Sequence, residues 1–183
     1  MLLTRQAFGA LMTQASLALA LVAWLSLPVL AAGQTDAQIV LLVGKGDRRQ
    51  PADSDWSPAA INQFLAGGSL VRTLVSSQMG IVLGDRTQIR LNQNTLLQIK
   101  STTESAQWSE STIRLQQGRA WSQARPRTVV SEPPASRPAR VTMETPSVTM
   151  AIRGTDWEVE GDADGNTQLV VLSGNVSMAN EFG

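Results

Sequence analysis

From Ile39 almost to the last residue, apolar side chains recur at every second position. That spacing turns one face of a strand to a core and the other to solvent, and no comparable helical spacing runs through the same stretch. A chain patterned in this way is predicted to fold mostly as sheet. Ile39, Leu41 and Val43 form the first alternating set and stop at Gly44-Lys45-Gly46-Asp47, a glycine-rich turn. Leu70, Arg72 and Leu74 open the next. Ile81 and Leu83 lead into the turn Gly84-Asp85-Arg86, after which Ile89 and Leu91 face away from Gln88 and Arg90. Leu97 with Ile99, Ile113 with Leu115, and a run of sets from Val141 to Met178 continue the pattern. Strands arriving about every ten to fifteen residues have the rhythm of a sandwich or barrel. One short helical turn is expected at Pro58 to Leu65, where Ser57 is placed to cap it and Pro58 takes the first helical position.

The amino terminus reads differently. Met1 to Gln14 carries one charge, Arg5, and Ala15 to Leu30 is an apolar run broken by Ser16, Ser26 and Pro28. Small residues Ala31, Ala32 and Gly33 follow, as a signal-peptidase site requires, so residues 1–33 are read as an export signal helix, with an uncleaved membrane anchor as the alternative. The product is expected in the periplasm or outside a bacterial cell, touching membrane only if that segment is retained. Residues 34–64 are read as an N-terminal strand and lead-in, and residues 65–183 as the main β domain, with a Pro-rich loop at 125–140.

The chain has 183 residues, 43% of them apolar, enough for one core without disulfides. It has no His, Cys or Tyr, which removes Ser-His-Asp and Cys-His nucleophiles, zinc fingers and haem attachment. No cofactor or metal is expected. Fifteen basic residues balance fifteen acidic ones, so the basic field that draws a protein to nucleic acid is missing. Only Lys45 and Lys100 offer an amine.

Few residues remain to carry chemistry. Asp162, Asp164 and Asn166 alternate around Gly165, and a solvated hairpin tip explains them better than an incomplete calcium loop. Asp156, Glu158 and Glu160 share one face of a strand, read as an outward polar face rather than a glycosidase pair. Trp108, in the polar run Ser101 to Ser111, is the tryptophan expected to be exposed, and Trp56 is a second contact candidate, whereas Trp121 and Trp157 sit in apolar strands and read as structural. Arg153, beside Gly154, is placed to pair with a buried acid, hold a carbonyl or recognise a ligand. Three segments share the pattern apolar-x-x-Gly-x-apolar: Leu65 to Leu70, Leu115 to Ala120 and Val171 to Val176. Each glycine, Gly68, Gly118 and Gly174, is expected to take a positive φ at a tight turn.

Four stretches carry a family resemblance: Gly68 to Thr73; Gly84-Asp85-Arg86-Thr87 to Leu91; Leu115 to Trp121; and Thr145-Pro146 through Arg153-Gly154-Thr155-Asp156-Trp157 to Val176. Together they resemble the FecR domain family, the periplasmic module named after the iron-dicitrate transport regulator. Arg86 stands where that family usually has glycine in an Asp-Gly-Thr turn. The resemblance implies an all-β, antiparallel, jelly-roll-like sandwich. Regulators of this family join the module to a membrane span and a cytoplasmic anti-sigma segment. About fourteen residues before the apolar run leave no room for such a segment here, so the resemblance points to an exported member without it. The chain stops soon after a strand where the family continues into another hairpin. Truncation of a longer protein is therefore one reading, and it implies an unpaired edge.

The function expected is non-catalytic recognition of an envelope protein or a cell-wall glycan. A signal-sensing component of a cell-surface system is the first alternative, and a hydrolase using Asp156, Glu158 and Asp164 the second.

Overall fold

The computed structural model describes residues 35–104, 109–123 and 139–180. The signal segment and Trp108 lie outside the described residues, as does the Pro-rich stretch except for its last two positions. The twelve strands among the described residues are β1 (Thr35–Val43), β2 (Gly46–Arg49), β3 (Ser57–Pro58), β4 (Phe64–Ala66), β5 (Leu70–Thr73), β6 (Gln78–Leu83), β7 (Gln88–Leu91), β8 (Leu96–Glu104), β9 (Ser109–Gln123), β10 (Ala139–Glu144), β11 (Thr149–Gly161) and β12 (Thr167–Ala179). The fold is all-β. The helical turn expected at Pro58 to Leu65 does not form. Pro58 instead closes β3 against Asp47, and Phe64 opens β4 beside Gln38, since backbone pairing to existing strands outweighs one isolated helical turn.

The strands hydrogen-bond in the order β3-β2-β5-β8-β9-β7-β6-β1-β4, and β9 is the hinge of the arrangement. Its first half lies between β8 and β10, and its second half between β7 and β11. β10 runs parallel to β9, so the sheet is not wholly antiparallel. Residues 124–138 connect these two strands, longer than the dozen or so residues that a parallel connection needs.

The core gathers Ile39, Leu65, Ile81, Ile89, Leu97, Ile113, Leu115, Ile152, Trp157 and Val159, all fully or almost fully buried. Alternation places them there, but three strands change phase midway. In β1, Ala37 and Ile39 face the core, the register shifts before Leu41, and Leu42 then packs on the core while Leu41 and Val43 are 37% and 51% exposed. The expectation that Ile39, Leu41 and Val43 share one face is corrected by that bulge. In β9 the buried set passes from Ser111, Ile113 and Leu115 to Ala120 and Ser122 across Gly118, whose φ is +92°. In β11 it passes from Met150 and Ile152 to Thr155, Trp157 and Val159 across a shift between Arg153 and Asp156.

All three repeat glycines have the positive φ expected of them: Gly68 +90°, Gly118 +92° and Gly174 +88°. Gly68 lies in the β4–β5 turn, but Gly118 and Gly174 lie inside β9 and β12, where they bend strands instead of ending them. At Gly118 there is also no room for a side chain. A Cβ would stand 2.5 Å from the Thr95 Cα, because the Thr95 hydroxyl accepts from the Arg119 amide at 3.0 Å and its chain crosses the bulge. Polar groups close the other end of the sheet. The buried Asp36 carboxylate accepts from the Gly67 and Thr102 amides, and its carbonyl accepts from the Gly84 amide at 2.7 Å, fixing β1 to β8 and to two turns.

Candidate functional site

Each phase change turns outward a side chain that strict alternation would bury. On the outer face of β11, β9, β7, β6 and β1, Glu158 pairs with Trp121, Trp121 with Arg90, Arg90 with Gly80 and Gly80 with Leu41. Five strands thus contribute one continuous cross-strand row. The Arg90 guanidinium carbon lies over the Trp121 ring, 5.3 Å from its centroid, within cation–π range. Gly80 lets the Leu41 side chain close over the strand, since a Cβ there would approach the Leu41 Cβ to 2.9 Å. On this face lies a cleft of about 210 Å³, walled by Leu41, Gln78, Arg90, Asn92, Arg119, Trp121 and Glu158 over a floor of Met79 and Leu91.

Two guanidiniums and one carboxylate line the cleft, and Glu160 beside it brings the formal charge to zero. Arg119 Nη2 donates to Glu160 Oε2 at 2.6 Å, and its Nη1 is 3.3 Å from Glu158 Oε1. The hydrogen bond to Glu160, then the charges of Glu160 and Glu158, hold the Arg119 pKa above its ordinary value. Glu158 and Glu160 share the outward face expected of them; Asp156 lies on the same side of β11, but its Oδ1 is buried without a hydrogen-bond partner among the described residues. The Glu158 and Glu160 carboxylates are thus both engaged by one guanidinium, that of Arg119.

The residues singled out in the sequence fare differently. Trp56 is half-buried, with the Arg72 and Arg49 guanidinium carbons 4.4 and 5.1 Å from its ring centroid. Arg72 is itself fixed by Asp47, through Nη2 to Oδ2 at 2.7 Å. Arg153 pairs through its backbone with Arg140 of β10 and Asn175 of β12 at the edge of the β11 bulge. Trp108 lies outside the described residues. Asp162 directs its carboxylate into its own hairpin turn, accepting from the Asp164 and Asn166 amides and the Asn166 side chain, and these bonds, that of the Asn166 side chain foremost, hold its pKa below the ordinary range.

Trp121, Arg90 and Arg119 escaped sequence reasoning. Counting by two from Ile113 and Leu115 places Trp121 inside. The signal that corrects it is Gly118, together with the implausibility of burying Arg119 on the same count.

Comparison with known proteins follows this geometry. The family model described as FecR protein matches residues 69–177. No curated protein matches the chain in sequence. Among solved structures it is similar to a crystal structure described as an anti-sigma factor from Parabacteroides distasonis, at 14% identity with a TM-score of 0.47, over 62% of this chain and 48% of that one. The chain therefore spans about half the length of that protein.

Proposed function

The chain belongs to the FecR family, and from that premise we propose that it is a non-catalytic recognition module of the bacterial envelope, exported to the periplasm and working by contact with an envelope protein or a cell-wall glycan. Its strands are read as the jelly-roll-like sandwich of that family, and its output as one step in cell-surface signalling, with any cytoplasmic part supplied by another segment or chain. The observation that carries this reading is the outer row from Leu41 to Glu158, in which a half-exposed indole, a guanidinium and a charge-balanced cluster are held on five paired strands. Such a surface is pre-organised for binding, since little side-chain freedom is left to lose. Trp56 between Arg49 and Arg72 offers a second contact, and Trp108 and Arg153 are further residues proposed for binding.

The test is retention. Immobilised full-length protein is expected to hold a component of envelope extract that the Trp121→Ala protein, melting within about 2 °C of the parent, releases. Equal retention by both proteins would remove this face from the function.

A further inference from the structure

We infer that the Trp121 cleft takes one ring of an uncharged saccharide; this deepens the recognition reading above and rests on it. Charge is the first reason. Arg119 is ion-paired with Glu158 and with Glu160 beside the cleft, and Arg90 lies over Trp121, so the four formal charges cancel, and an anionic ligand meets carboxylates while a cationic one meets guanidiniums. A neutral ligand meets neither penalty.

Hydrogen-bonding capacity is the second reason. A guanidinium has five N–H donors and a carboxylate about four lone-pair sites. The ion pairs of Arg119 engage only part of that capacity and hold donors and acceptors side by side. The exposed carboxamides of Gln78 and Asn92 add further donors and acceptors to the cleft walls. Neighbouring hydroxyls, each able to donate and accept, are the chemical groups that use such an array, while the part of the Trp121 indole that Arg90 leaves uncovered adds an apolar contact for the C–H groups of a ring.

Size and setting exclude the main peptide modes. About 210 Å³ is smaller than the roughly 300–1,000 Å³ of pockets for drug-sized ligands, which suits a single ring. β6, β7 and β9 are each paired on both sides here, so no strand edge is open for an added peptide strand. A docked helix needs an apolar groove, whereas these walls carry guanidinium, carboxylate and carboxamide groups.

The experiment titrates the full chain, by calorimetry or ligand-observed NMR, with neutral oligomers of N-acetylglucosamine and of glucose, beside cationic glucosamine and anionic galacturonate oligomers. Neutral oligomers are expected to bind with a dissociation constant on the order of 1 mM, at least about tenfold tighter than the charged ones. Trp121→Ala and Gln78→Lys should each weaken that binding about tenfold or more; Gln78 is exposed, so the second variant keeps the fold while charging the cleft. Absence of neutral-oligomer binding, or binding that both variants leave unchanged, overturns the inference. If Trp121-dependent retention from envelope extract then persists but is abolished by protease treatment of the extract, the ligand is a protein and the recognition reading stands. Loss of that retention as well removes both.

Discussion

Trp157 and Trp121 stand on neighbouring strands, offset by one residue, and have opposite fates. Trp157 faces Ser122 across the β11–β9 pair and is fully buried, whereas Trp121 faces Glu158 and lies half-exposed beneath Arg90. The inner face of this sheet is apolar and packed, while the outer face is mixed and cleft. Both rings belong to strands that look equally apolar in sequence. The comparison teaches that the side of the sheet, set by where β9 and β11 change phase, decides whether a large aromatic ring stabilises the protein or is left over for a ligand.

Trp157→Ala should separate the two faces most sharply. Emptying that site costs about 3–5 kcal/mol, and a loss of about 10 °C in Tm is expected by thermal unfolding. A change under 3 °C would mean that the inner face is not the main source of stability. Next comes the device that keeps the faces distinct. Gly118→Ala forces a side chain into a left-handed conformation and against the Thr95 backbone, a destabilisation of about 2–3 kcal/mol. Quenching of tryptophan fluorescence by acrylamide should change with it, because the phase that exposes Trp121 depends on that bulge. Unaltered quenching and stability would break the link.

A smaller effect of opposite sign is expected at Arg86. This residue has φ +69° in the β6–β7 turn where the family usually places glycine, and the turn keeps the left-handed form regardless. Arg86→Gly should therefore raise stability by about 1 kcal/mol in denaturant unfolding, and a loss would show that the arginine side chain makes a compensating contact.

The smallest expected effect is a slope in pH. Burial raises the Asp85 carboxyl above its ordinary value, against the hydrogen bond that the Thr87 amide donates to its Oδ1 at 2.9 Å, and its Oδ2 has no partner among the described residues. An acid whose pKa is raised on folding takes up a proton in the folded state. Its contribution is therefore favourable at low pH and is lost as pH rises from about 4 through the folded value. Asp85→Asn should flatten that part of the Tm–pH curve, and an identical curve would remove the effect.

Much of the fold was legible in the sequence because alternation is local. Ile81 with Leu83, Ile89 with Leu91 and Leu97 with Ile99 all face the core on the count of two. The repeat glycines were legible for a related reason, since only glycine takes a positive φ without steric cost. Their consequence was not. A bulge belongs to a pair of strands, and Gly118 reads as a turn until Thr95 is seen crossing it. The helical turn expected at Pro58 to Leu65 failed similarly: a proline beside a capping serine is a local signal, and the partners that overruled it, Asp47 and Gln38, are distant along the chain.

By itself the amino-acid sequence determined the class of structure, the larger part of the interior and the family, because these follow from side-chain periodicity and from motifs read along the chain. Only the tertiary structure decided which of Trp121 and Trp157 reaches solvent and which charges stand beside it. That depends on the registers of five strands at once, where a slip of one residue exchanges the two faces of a sheet.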